Sequence, residues 1–148
     1  MDNQVEMPMH SLIQRFSEFN HHFLKLEKQI LAKYGITKSG FSIMSFINDK
    51  KITLNELANE SDLDKSTLSR QVKQLEKKGF ITKESGTDKR YMYLSLTPES
   101  RQLILAFSFE FEKSYSLIFK SWPADEKQLL LVLMGRVNRS IQSFQLVK

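Results

Sequence analysis

A mainly helical chain with one small β-hairpin is what this sequence predicts, and three patterns predict it. Apolar positions at three- and four-residue spacing fill both ends, from Leu12 to Ile30 and from Leu103 to Phe144, the repeat of helices with one buried face. The middle, Thr53 to Gly79, holds two shorter amphipathic segments separated by Ser61-Asp-Leu-Asp64. Directly after Gly79 come two alternating segments, Phe80 to Glu84 and Tyr91 to Leu96, joined by a glycine-containing loop, which is a hairpin pattern. Helix, tight turn, helix, then hairpin is the order of a winged helix-turn-helix, here flanked by long terminal helices.

The elements follow in turn. Leu12, Phe16, Phe19, Phe23, Leu26 and Ile30 mark a first helix from about Met9 to Lys33, roughly 40 Å long. So long an apolar face exceeds what its own small domain can cover, and a second copy of the chain is the expected partner. Gly35 suits the left-handed position that ends such a helix. A second helix is predicted over Thr37 to Asn48, with Phe41, Met44 and Ile47 inward, and Lys50-Lys-Ile52 is a connector or a one-bridge strand. Thr53 and Glu56 have capping-box spacing at the start of the third helix, whose inner side is Leu54, Leu57 and Ala58. Leu63 is expected to plug the core from the turn, and Asp64 to cap the next helix. There Leu68, Val72 and Leu75 form the buried stripe and Gly79 the stop. Met92, Leu94 and Leu96 are expected to face inward from the hairpin, with Gly86 permitting a tight bend. Thr97-Pro98-Glu99 starts a further helix, marked by Leu103, Phe107, Phe111 and Ile118. After Trp122-Pro-Ala-Asp-Glu126, positions Leu130, Leu133, Val137, Ile141 and Phe144 carry the last helix almost to the end. The predicted division is 1–35 as an N-terminal dimerisation helix, 36–97 as the winged helix-turn-helix, and 98–148 as C-terminal dimerisation helices.

Composition removes several function classes. With 41% hydrophobic residues in 148, the chain can bury a core. Its longest purely apolar run, Leu129 to Met134, is far too short to cross a bilayer, so no membrane partner is expected. The first six residues have neither the basic start nor the apolar core of a secretory signal. No cysteine is present, which excludes disulfides, thiolate metal ligands and a redox-sensing thiol. These features point to a cytoplasmic protein. Nothing sets a histidine and a carboxylate beside one of the many hydroxyls, and five scattered glycines form no phosphate loop. His21 and His22 are neighbours about 100° apart on a helix. Glu18 and His22 have the spacing of a metal pair but are read as surface side chains. No metal, cofactor or enzymatic activity is expected.

Charge is distributed unevenly. The net charge is +5, yet Lys65 to Arg90 alone holds eight bases against three acids, while Thr53 to Asp64 holds four acids and no base. The positive field is thus confined to the second helix of the pair and the hairpin, where phosphates would be met. A helix fits the major groove with its N-terminal side chains at the base edges. Short hydroxyls at Ser66, Thr67 and Ser69 suit close approach to phosphates or bases, and the helix N-terminus suits a phosphate. Arg70 and Gln71 have the reach for two-pronged readout of guanine and adenine. Lys73, Lys77 and Lys78 sit further along and suit phosphates, and Lys65 at the helix start is a further candidate DNA contact. On the hairpin, Lys89 and Arg90 are placed for the minor groove, with Asp88 bonding Arg90 or the loop backbone to aim it. The alternative is a winged module that binds another protein and no DNA. The Lys/Arg bias and the acid-free hydroxyl cluster favour double-stranded DNA.

The stretch from Leu54 to Ile81, continued through Asp88-x-Arg90 to Leu96-Thr97, strongly resembles the MarR family of bacterial transcription regulators. The shared motifs cover roughly a third of the chain, and the terminal helices match in length and pattern only. The resemblance implies a homodimer with intertwined terminal helices, probing a pseudo-palindromic operator as a repressor. It implies major-groove contacts for Ser66, Thr67, Ser69, Arg70 and Gln71, and a minor-groove contact for Arg90. It further implies a cleft for a small apolar or aromatic effector, with Tyr34, Phe41, Met44, Phe107 and Phe111 as candidate walls; as plain packing, the same aromatic residues are dimer core. Two departures stand out: Ser100 replaces the glycine usual after Leu-Thr-x-x, and the wing loop is about one residue short.

Overall fold

The computed structural model describes residues 7–146; the first six residues, on which the secretory-signal reading rests, and residues 147–148 lie outside it. Among the described residues the order is α1 (Met9–Lys33), α2 (Lys38–Ile47), β1 (Ile52–Thr53), α3 (Leu54–Ser61), α4 (Lys65–Lys77), β2 (Ile81–Ser85), β3 (Met92–Leu96), α5 (Pro98–Ile118) and α6 (Ala124–Ser143). The chain forms two compact units, divided within α5 after Phe111.

Local chemistry sets the element ends. Gly35 has φ 69°, and the Ile36 N–H donates to the Leu31 carbonyl at 3.1 Å, closing α1 as a left-handed glycine cap does. The predicted second helix loses a residue at each end because Thr37 and Asn48 are its caps; Thr37 Oγ1 accepts from the Gly40 N–H. Thr53 Oγ1 accepts from the Glu56 N–H at 3.2 Å, the first half of the expected capping box. After α4, Gly79 has φ 76° and the Phe80 N–H donates to the Leu75 carbonyl at 2.9 Å.

The three strands form an antiparallel sheet in the order β1-β3-β2, so the Lys50-Lys-Ile52 connector does end in a strand. Ile52 pairs with Leu94, Ile81 with Leu96, and Ser85 with Met92 at the hairpin's loop end. The core joins Ile43, Met44 and Ile47 of α2, Leu57 of α3, and Leu68, Val72 and Leu75 of α4 to Ile52, Ile81, Leu94 and Leu96 of the sheet. Leu31 of α1 and Phe107 of α5 close it.

Three packing expectations need correction. Leu63 is 37% exposed: it lies between the left-handed Asp62 (φ 58°) and the capping Asp64, and the fully buried Leu57 and Leu68 already fill the core. Met92 is 49% exposed because its ladder partner Ser85 is the last residue of β2, beyond the domain body. Ile118 is exposed too, so the inner stripe of α5 does not reach the helix end.

Glu27 and Thr97 are buried polar residues that join elements, and the buried Ser100 is satisfied locally. Glu27 is buried in α1 and pairs with Lys38 Nζ, tying α1 to the first turn of α2. Ser100 is fully buried; its Oγ donates to the Thr97 carbonyl at 2.9 Å, so a hydroxyl in place of glycine stays satisfied. Thr97 Oγ1 donates to the Gly79 carbonyl at 2.8 Å, which fixes the start of α5 to the end of α4.

Candidate nucleic-acid interface

Leu68, Val72 and Leu75 hold α4 by its inner face. At about 100° per residue the opposite face carries Ser66, Arg70, Lys73 and Lys77, and all four are exposed, as is Lys65. None of these bases enters an ion pair among the described residues, whereas neighbouring charges do: Lys83 meets Glu76 at 3.5 Å and Lys51 meets Glu84 at 3.1 Å. The outer face of α4 therefore keeps its full positive charge.

The first turn is organised by Asp64. Its Oδ1 accepts from the Ser66 hydroxyl at 2.6 Å and the Thr67 N–H at 2.7 Å, and its Oδ2 from the Thr67 hydroxyl at 2.7 Å. The Ser66 hydroxyl, then the Thr67 N–H and hydroxyl, hold the Asp64 carboxyl far below the usual carboxylate range; burial opposes this weakly and the charge of Arg70 adds to it. A group so depressed contributes its stabilisation above its ordinary value and loses it only as pH falls through the lower folded one, so the cap is intact at neutral pH. The expected phosphate site at this helix end is corrected accordingly: the Thr67 N–H is occupied and a carboxylate stands where an anion would dock.

The remaining expected readers are placed differently from one another. Ser69 is half-buried and lines a groove of about 220 Å³ with Leu54, Lys83 and Met92, on the hairpin side of α4. Gln71 is half-buried and shares a recess of about 30 Å³ with Thr37, Ser39 and Gly40 at the start of α2. Its Oε1 is buried without a hydrogen-bond partner. Two-pronged readout needs both amide atoms free, and this one is set against α2, at the flank of the exposed face.

On the wing, Asp88 and Arg90 form the anticipated fork: Arg90 Nε donates to Oδ1 at 3.1 Å and Nη2 to Oδ2 at 2.8 Å. The Arg90 N–H also donates to Asp88 Oδ1 at 3.1 Å. The pair lowers the Asp88 carboxyl and raises the Arg90 guanidinium from their ordinary values. The Arg90 side chain nevertheless remains 82% exposed, and Lys89 is exposed beside it. Gly86 serves a different purpose from the one its residue type suggested. Its φ is not positive; a Cβ there would lie 2.3 Å from the Tyr93 ring. Gly86→Ala is expected to cost on the order of 1 kcal/mol by overpacking, read as a lower thermal midpoint.

Of the five candidate effector-site residues, Met44 and Phe107 belong to the core and Tyr34, Phe41 and Phe111 pack against it. Phe41 and Phe107 have ring centroids 4.9 Å apart, and Phe107 and Phe111 5.4 Å. The Tyr34 hydroxyl donates to Glu110 Oε2 at 2.7 Å, the main reason its pKa is raised. Met44 and Phe107 are buried core. Phe41 also lines an open cleft of about 330 Å³, with Lys38, Ser42, Ser45 and Phe46. Residue types did not single out those four, because Ser42 and Ser45 become cleft walls only through their register on α2. In the second unit, Tyr115, Phe119, Leu130, Leu131 and Met134 line another apolar cleft of about 500 Å³. Glu18 pairs with Arg15, and no group of three metal-ligating side chains occurs among the described residues. No described helix is long and apolar enough to cross a membrane.

Comparison with known proteins gives a consistent result. Residues 34–90 match the sequence model of the MarR family. The HTH-type transcriptional regulator YwaE of Bacillus subtilis is 28% identical over 116 residues, spanning 77% of this chain and 68% of that protein. A MarR family protein from Bacillus stearothermophilus superposes with a TM-score of 0.81 over 97% of this chain and 99% of its own, at 16% identity. Staphylococcus aureus MarR in complex with salicylate and kanamycin gives 0.76 over 96% of this chain and 97% of its own, at 23% identity. At these identities the structural likeness establishes the winged helix fold.

Proposed function

The winged helix-turn-helix of this transcription regulator belongs to the MarR family, and from that premise we propose that the chain acts as a homodimeric repressor on a pseudo-palindromic operator. The observation that carries this reading is the uncompensated face of α4. Arg70, Lys73 and Lys77, with Lys65 at the helix start, stay exposed and unpaired while adjacent bases are neutralised. In the major groove that face meets phosphates with its lysines and a base edge with Arg70. Ser66, Thr67 and Ser69 approach the groove from the first turns, and Gln71 supports the flank. Lys89 and Arg90 of the wing reach the adjacent minor groove, with Asp88 aiming Arg90. Residues 36–97 thus form the reading module.

Dimerisation is assigned to residues 1–35 and 98–148. α1 exposes Met9, Ile13, Phe16 and Phe19, and α6 buries no residue while exposing Leu129, Leu131, Leu133 and Ile141. Exposed apolar side chains in such number, on each of the two helices taken by itself, are the property of an interface. Two modules so joined address half-sites about one helical turn apart.

A small aromatic effector would release the DNA only by favouring a dimer geometry that mismatches this spacing. We place it at the Phe41 cleft, beside the cluster of Tyr34, Met44, Phe107 and Phe111. A salicylate-bound neighbour of the same fold supports that chemical class. No cofactor or catalytic step is needed, and the protein acts where the DNA is, in the cytoplasm.

Two results are expected from gel-shift titration against duplexes selected from genomic fragments. Affinity should fall steeply with salt. If Lys65, Lys73, Lys77 and Lys89 each meet a phosphate in both protomers, log K should fall against log[salt] with a slope of roughly −7; a slope near zero contradicts the interface. Arg90→Ala should weaken binding about fivefold to tenfold and flatten any preference for A/T-rich flanks. If the flanking preference is unchanged, the wing does not enter the minor groove. Failure to shift any duplex at low salt would favour a module that binds protein.

A further inference from the structure

Asp64 determines more than the start of α4. A carboxylate has no proton to give, so in both hydroxyl contacts the hydroxyls must donate. The Ser66 proton is committed to Oδ1 at 2.6 Å and the Thr67 proton to Oδ2 at 2.7 Å. Each hydroxyl oxygen is left with lone pairs alone for any third group. Ser66 is exposed and lies on the same helix face as Arg70 and Lys73. A serine is ordinarily indifferent in base readout because it either donates or accepts; this one is not.

We propose that Asp64 makes Ser66 an acceptor-only reader, which selects a base presenting an exocyclic amino group in the major groove, adenine N6 or cytosine N4. Guanine and thymine offer acceptors at the corresponding edge and are rejected there. A phosphate is rejected as well, because it needs a donor and would face the Asp64 charge. The inference rests on the DNA-reading role proposed above and adds a specificity rule to it. The strongly depressed carboxyl of Asp64 keeps the arrangement in place at every pH where duplex DNA is handled.

Selection of duplexes from a randomised pool by the full-length wild type, Ser66→Ala and Asp64→Gly tests this. Glycine is a serviceable N-cap, so Asp64→Gly should fold, as far-UV circular dichroism will check, while releasing both hydroxyl protons. The position whose preference disappears in Ser66→Ala should carry adenine or cytosine in the wild-type selection. Replacing that base by its analogue lacking only the amino group should cost the wild type about fivefold to tenfold in Kd, one hydrogen bond, and cost Ser66→Ala nothing further. Asp64→Gly should bind all sequences somewhat more tightly, having lost an acid, and should admit guanine or thymine at that position. The proposal is overturned if Ser66→Ala changes no preference, if the lost preference is for guanine or thymine, or if Asp64→Gly keeps the wild-type preference. A wild type that retains no duplex overturns the DNA-reading role itself, and the specificity rule with it, an outcome distinct from these three.

Discussion

Phe16→Glu combined with Phe19→Glu is expected to give a folded monomer that binds the selected duplex about 10²–10⁴-fold more weakly than wild type. Both side chains are large, apolar and exposed on α1, at 36% and 48%, so they contribute little to the fold of their own chain. Two carboxylates in a dry interface meet a desolvation cost that nothing opposite offsets. Losing the dimer turns binding of the second reading module from an intramolecular event into an independent one, which removes an advantage of about 10²–10⁴. Sedimentation velocity and a gel-shift titration on the same sample check the two halves together. A double variant that still sediments as a dimer would move the interface away from this stripe. One that is monomeric yet binds with wild-type affinity would show that a single module suffices.

Arg70→Ala is the substitution with the next largest effect. Arg70 is exposed at the centre of the outer face, one turn after Ser66, and has no competing carboxylate partner within an ion pair among the described residues. A two-pronged contact to a guanine edge is worth about 1–3 kcal/mol of discrimination, roughly fivefold to 150-fold. The loss should fall on particular base pairs, so that the wild-type site and its single-pair variants become bound alike. Lys77→Ala, further along the same face, should weaken all sequences equally and reduce the magnitude of the salt slope by about two for a dimer. Measuring both variants on the same panel of duplexes separates the roles. If Arg70→Ala weakens every duplex by one common factor, Arg70 is a phosphate contact and specificity lies elsewhere on α4 or the wing.

Most of the architecture was legible because its signals are local. Thr53, Asp64 and Thr97 cap the helices that their positions announced, and Gly35 and Gly79 stop α1 and α4. The Asp88–Arg90 fork followed from two opposite charges two residues apart on a hairpin. What sequence could not convey depends on neighbours distant along the chain. The Cβ-less face of Gly86 is needed because the Tyr93 ring lies against it, and no rule of turn chemistry reports that. Gln71 has the length and chemistry of a base reader, but its carbonyl is buried beside Thr37 and Gly40, a consequence of how α2 packs on α4. Leu63 and Met92 are apolar residues that the completed core leaves outside. The polarity of Ser66 lies between these cases. The sequence places Asp64 two and three residues before Ser66 and Thr67, but the commitment of both hydroxyl protons follows only from the distances.

The most direct measurement is the stoichiometry of the full-length chain on a selected duplex, by native mass spectrometry at low salt. Two chains on one duplex, whose sequence holds inverted half-sites about one helical turn apart, is the predicted result. A single chain per duplex, or a protein that stays free of double-stranded DNA even in dilute buffer, would contradict it.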